Sequence, residues 1–199
     1  MAAALGNDLA VLITEFHANV SHAESLTVGL TAAQFNWRPA PGVWSIGENL
    51  AHLNVVNGSD IRPLRAAIER GRAAHLTGEG PFTYGFLVRK FVASLEPVGS
   101  SPAARRKFKA PKPYQPLSEN EVASTLAEFR RISGELRELT YSAAGLHLAR
   151  VKTTLPALPR WLQSVLRMPL GARLASLAAH DRRHLTQAES IRNLLDFPA

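Results

Sequence analysis

The sequence predicts an all-α fold, a four-helix bundle with long crossover connections, and three observations predict it. Apolar residues recur at helical spacing in four long stretches. Ser or Thr stands three residues before Glu or Gln at Thr31-Ala-Ala-Gln34, Ser45-Ile-Gly-Glu48 and Ser118-Glu-Asn-Glu121, the pattern of a capping box. Alternating strand-like runs and hairpin dipeptides are scarce.

The first stripe, Leu9, Leu12, Ile13, Phe16 and Val20, places an amphipathic helix over about residues 5 to 28. Thr31 to Gln34 can cap a short turn, after which Trp37-Arg-Pro39-Ala-Pro41-Gly42 is a connector, because proline lacks a donor and restricts its predecessor. A second helix starts near Ser45 and runs through Leu50, Leu53, Val56, Ile61 and Leu64 towards Gly71, with Pro63 expected to kink or break it. Between residues 76 and 117, Phe82, Phe86, Leu87, Phe91 and Val92 suggest a short helix, and the prolines and basic residues that follow suggest an irregular excursion. The Ser118 capping box introduces a third long helix with the stripe Val122, Leu126, Phe129, Ile132, Leu136 and Leu139. After a connector holding Pro156 and Pro159, Pro169 can occupy the first turn of a fourth, whose apolar side is Leu174, Leu177, Ala178, Leu185, Ala188 and Ile191.

With 199 residues and 46% apolar content, the chain suffices for one core, so residues 1–199 read as a single domain. Cysteine is absent, which excludes disulfides and thiolate metal sites and fits a cytoplasmic location. Neither a signal peptide nor a membrane anchor is expected. The net charge of +7 raises the question of nucleic acid or an anionic surface. However, the densest cluster, Arg105, Arg106, Lys107, Lys109 and Lys112, lies among Pro102, Pro111, Pro113 and Pro116 and reads as a solvated loop. With neither a helix-turn-helix nor an aromatic-basic stacking surface, no nucleic-acid partner is expected.

Of seven histidines, His180 and His184 are four apart on the fourth helix and therefore share a face. Among residues expected to face the core, such imidazoles need partners, and interhelical hydrogen bonds or a metal ion would each serve. His52, two turns into the second helix, can be brought opposite them in a bundle. Three neutral imidazoles at about 2.0–2.1 Å would hold a divalent ion and leave positions for water or substrate. Zinc or nickel suits such a set first, with iron or manganese as further identities. His17, His22, His75 and His147 follow no such pattern.

Trp37-Arg-Pro39, Gly42-Val-Trp44-Ser-Ile-Gly-Glu-Asn-Leu-Ala-His52-Leu and His180-Asp-Arg-Arg-His184-Leu-Thr-Gln187-Ala together resemble the DinB-like superfamily, the DinB and YfiT-like metalloenzymes, over nearly the whole chain. That resemblance implies a four-helix bundle with atypical connections, in which one histidine of the second helix joins two of the last to bind a divalent metal. His52, His180 and His184 are then the ligands. It also implies small-molecule chemistry, since relatives transfer low-molecular-weight thiols or isomerise with them. Two function classes stay open: a metal-dependent transferase or hydrolase, and a non-catalytic metal-stabilised binding or stress-response module.

Around the histidines, Glu48 reads more simply as the cap of the second helix than as a base, and Arg182 and Arg183 as solvent-exposed charges. Asp181 gives His-Asp-Arg-Arg-His, which departs from the zinc-protease helix His-Glu-x-x-His and argues against a peptidase. Gln187 could bond within a cavity or support its helix. Trp37 and Trp44 are expected to fix the approach to the second helix, and Trp161, in the basic amphipathic segment Arg160 to Met168 that could touch a membrane or a partner, to pack beneath the second connector, so that no membrane partner is expected. A homodimer could cover the apolar segment Phe82 to Val92 together with the Trp161 segment.

Overall fold

A computed structural model describes residues 7–97 and 110–199. In chain order the elements are α1 (Asn7–Thr27), α2 (Ala32–Asn36), α3 (Ile46–Ala73), α4 (Phe86–Ser94), a 3₁₀ turn (Lys112–Tyr114), α5 (Val122–Ser142), β1 (Lys152–Thr154), α6 (Arg160–Gln163), β2 (Arg167–Pro169) and α7 (Leu170–Arg192). The described chain is thus mostly helical. Helices α1 and α3 each pack against both α5 and α7, so the four long helices close a ring around the core.

Local chemistry accounts for the starts of α2, α3 and α5. Thr31 and Ser45 each accept the backbone N–H of the residue three on, and Gln34 and Glu48 reach back to the cap N–H, so both boxes form. At the third site the expectation fails: the cap of α5 is Glu121, whose carboxylate accepts from the N–H groups of Ala123 and Ser124, and Ser118 lies outside the helix. A carboxylate suits the positive end of a helix, and Glu121 is long enough to fold back onto it. Asn36 holds the approach to α5, exchanging bonds with the carbonyl and N–H of Asn120. Pro63 does not interrupt α3, which continues to Ala73. The short helix between Phe82 and Val92 begins only at Phe86, because Phe82 instead donates its N–H to Asp8 and packs its ring on His147.

Two apolar clusters fill the ring. One gathers Leu12, Phe16, Leu64, Ile68, Leu136 and Leu174, and the other Phe35, Ile46, Leu50, Leu53, Phe129 and Leu185. Each such side chain, fully buried, contributes about 1.5–3 kcal/mol relative to exposure. Gly47 lets α2 lie close on α3, for a Cβ there would come within 2.8 Å of the Phe35 ring. Along α3 and α7 the clusters are separated by buried polar residues, Asn57 and Asp60 on α3 and Asp181 on α7. Three interhelical pairs, Asn49 with His184, Asn57 with Asp181 and Asp60 with Arg173, set α3 and α7 antiparallel. The antiparallel ribbon of β1 and β2, which places Thr153 opposite Met168, escaped the sequence reading because three-residue strands carry no period to detect.

Candidate metal centre

His52 stands in the second turn of α3, and His180 and His184 are one turn apart on α7. The antiparallel packing brings them together. Their ring centroids lie 5.2 Å (His52–His180), 4.7 Å (His52–His184) and 4.5 Å (His180–His184) apart. One nitrogen from each lies within 4.8 Å of the other two, close enough for a single ion to touch all three.

Hydrogen bonds decide which nitrogens face inward. Nδ1 of His52 lies 2.6 Å from the Tyr114 carbonyl, which can only accept, so Nδ1 carries the proton and Nε2 keeps its lone pair. Nδ1 of His184 lies 2.8 Å from Oδ1 of Asn49. The Asn49 amide is itself oriented, because its Nδ2 donates to the Ser45 carbonyl at 2.8 Å, and its oxygen therefore faces the imidazole. His184 is thus also the Nδ1–H tautomer. Nδ1 of His180 is buried and has no hydrogen-bond partner among the described residues.

Burial also sets the protonation states. Desolvation lowers the pKa of His52, against the opposing bond to Tyr114. It pushes His180 down to about 3, helped by His52, Arg173 and Arg183, and holds His184 well below the ordinary range, helped by His180, His52 and Arg183. All three are neutral at pH 7, the form in which imidazole ligates a metal. Trp44 walls the cluster, with its ring centroid 4.8 Å from His52 and stacked on His184 at 5.7 Å.

The neighbouring charges are spoken for, save Oδ2 of Asp181, which has no hydrogen-bond partner among the described residues. Glu48 is buried and serves the cap, Oε2 accepting from the Ser45 N–H at 2.9 Å and from Nε of Arg38 at 2.7 Å, while Oε1 pairs with Nη2 of Arg38. The Arg38 pair was not anticipated. Asp181 points away from solvent and accepts from Nδ2 of Asn57 at 2.9 Å. Desolvation raises its pKa to about 7. Arg182 corrects the expectation of a solvent-exposed charge: it bridges Glu15 at 2.8 Å and Glu96 at 2.7 Å, because α1 and α4 flank that side of α7. Arg183 donates to the Ser94 carbonyl at 2.9 Å. Gln187 is half-buried. Of the basic cluster, Arg105, Arg106, Lys107 and Lys109 lie outside the described residues, while Lys112 opens the 3₁₀ turn.

Sequence reasoning missed the partners that orient the histidines. Asn49 and the Tyr114 carbonyl come from segments 135 and 62 residues away from the histidines they hold, so no spacing rule could find them. Deeper along the same two helices, Asp60 and Arg173 form a buried two-point ion pair at 2.8 and 2.5 Å.

Comparison with curated proteins gave no match, and comparison with solved structures gave none. The DinB superfamily matches residues 15–188, a span that holds all three histidines and both helices carrying them, and the chain belongs to that superfamily.

Proposed function

We propose that His52, His180 and His184 bind one divalent metal ion, with zinc or nickel first, and that the protein is a metal-dependent enzyme acting on a small molecule. The ring of four long helices is read here as a four-helix bundle with long crossover connections, serving as a rigid frame for that site. One observation carries the proposal: three neutral imidazoles converge, and two have the outward nitrogen committed to a fixed acceptor. The donor set fits such an ion, and the orphaned, buried Nδ1 marks His180 as a half-buried imidazole whose needs the described residues do not meet. When bound, a divalent ion supplies positive charge that acidifies a coordinated thiol or water.

Around that site the chain orients ligands and limits water. Asn49 and Tyr114 hold two imidazoles in the tautomer that presents Nε2, and Trp44 covers one side. The carboxylates nearest the ligands in sequence are both engaged, Glu48 by Ser45 and Arg38 and Asp181 by Asn57. Glu48 is thereby occupied at both oxygens, and Asp181, held through Oδ1 alone, is fully buried away from solvent. This favours transfer of a low-molecular-weight thiol, which needs no protein base once acidified, over hydrolysis assisted by a carboxylate.

The test is elemental analysis of purified wild-type and His184→Ala protein, followed by assays with thiol–electrophile pairs and hydrolysable esters. One ion per chain is expected in the wild type and much less in the variant, with metal-dependent turnover of a thiol pair. Equal occupancy in both would remove the ligand assignment. Metal binding without turnover of any pair would leave the non-catalytic module as the better reading.

A further inference from the structure

The acidic residues of this chain are unevenly placed. No Asp or Glu occurs between Glu79 and Glu96, nor between Glu138 and Asp181. Two short helices fall in these acid-free stretches, α4 and α6; the chain entering α4 and the chain leaving α6 meet the start of α7, and α4 runs on along α7 until Ser94 meets Arg183. The Tyr84 hydroxyl, two residues before α4, occupies the place a Cβ on Gly171 would take, and β2 leads from the α6 turn directly into Leu170.

At this end large apolar side chains face water. Trp161 is 72% exposed, Val165 75%, Leu87 78% and Phe86 63%, with Phe91 and Leu166 also exposed. This overturns the expectation that Trp161 packs beneath the connector: α6 is a single turn with no buried residue, and α4 likewise buries none. Cations alternate with these side chains. Arg89, Lys90, Arg160 and Arg167 are exposed and enter no ion pair among the described residues, and Lys90 lies 5.2 Å over the Phe86 ring.

We propose that α4 and the α6 turn form a docking surface for an anionic lipid bilayer. No described helix is long and apolar enough to cross a membrane, so the contact is peripheral. Protruding Trp, Phe, Leu and Val side chains beside Arg and Lys suit a boundary where apolar groups enter the acyl layer and cations meet phosphates. Nucleic acid would engage the cations but leave these aliphatic side chains in water. A second copy, joined through the same face about a two-fold axis, would set Arg89, Lys90, Arg160 and Arg167 against a surface with the same sign and no carboxylate from these stretches to offset it.

The experiment floats the full chain, as purified, with vesicles of phosphatidylcholine alone and of phosphatidylcholine mixed with phosphatidylglycerol. Binding to the mixed vesicles only is expected, with a blue shift of tryptophan emission and release by salt. Arg160→Gln and Arg167→Gln should each weaken partition about fivefold. The double variant Leu87→Ser, Trp161→Ser should abolish it while leaving circular dichroism and metal content unchanged. If that variant fails to fold, the two arginine variants decide alone. Equal binding to both vesicle types, no binding, or partition unmoved by the arginine variants would overturn the proposal. So would a dimer in light scattering that Leu87→Ser converts to monomer.

Discussion

Asn49 on α3 and His184 on α7 meet through a 2.8 Å bond between the amide oxygen and Nδ1, and the same amide donates to the Ser45 carbonyl. Asn49 therefore links the start of α3 to the imidazole that the opposite helix presents. Replacing it by leucine removes the acceptor while filling similar space, so His184 loses its fixed tautomer and orientation. Metal affinity should fall about 10–100-fold, with the fold retained. Titration against a competing chelator checks this, and unchanged affinity would remove Asn49 from any role at the site.

Glu48 offers a second discrimination. Its two oxygens are used by Ser45 and Arg38, which makes it a structural cap. Glu48→Ala should lower stability by about 0.5–2 kcal/mol, within the range for lost caps, while metal stoichiometry stays at the wild-type value. Denaturant unfolding measures the first and elemental analysis the second. Loss of turnover with stability and metal content intact would instead make Glu48 a proton acceptor.

The ion pair of Asp60 and Arg173 lies inside the ring, both residues almost fully buried. Asp60→Ala leaves a guanidinium without its counter-charge and should cost about 3–5 kcal/mol, whereas Asp60→Leu with Arg173→Met removes both charges and should recover much of that loss. Chemical unfolding of the three proteins decides it. A double variant no more stable than Asp60→Ala would mean that the pair specifies packing in a way apolar residues cannot replace.

The long helices were legible because each buries a stripe whose period the sequence carries, as Leu9, Leu12 and Phe16 do in α1. The histidines were legible for a related reason: four residues on one helix guarantee a shared face. What holds them was not. Asn49, Tyr114, Asn57 and Asp60 act across helices, and such contacts depend on how α3 and α7 are aligned. Arg182 misled for the same reason. Its position on α7 points off the histidine face, but only the placement of α1 and α4 brings Glu15 and Glu96 to it.

The last prediction concerns acid and base. In the metal-stripped chain His180 stays neutral until about pH 3, and His52 and His184 are also shifted down, while an unfolded imidazole titrates near 6.5. Between those values the unfolded chain binds more protons, so stability falls as pH drops from about 6.5 towards 3. Asp181 has the opposite sign. Its folded pKa of about 7 lies above the ordinary 3.8, so its contribution is full below 3.8 and is lost as pH rises through 7. Asp181→Asn keeps a buried neutral group beside Asn57 and cannot ionise, so its Tm should gain on the wild type as pH rises from about 3.8 to 7, with a constant difference above that, while sharing the acid decline of the histidines. Thermal melts of both proteins across the pH range, with chelator present, measure the difference. If the two curves run parallel from about pH 4 to 7, Asp181 does not titrate with a raised pKa and burial is not what governs its charge.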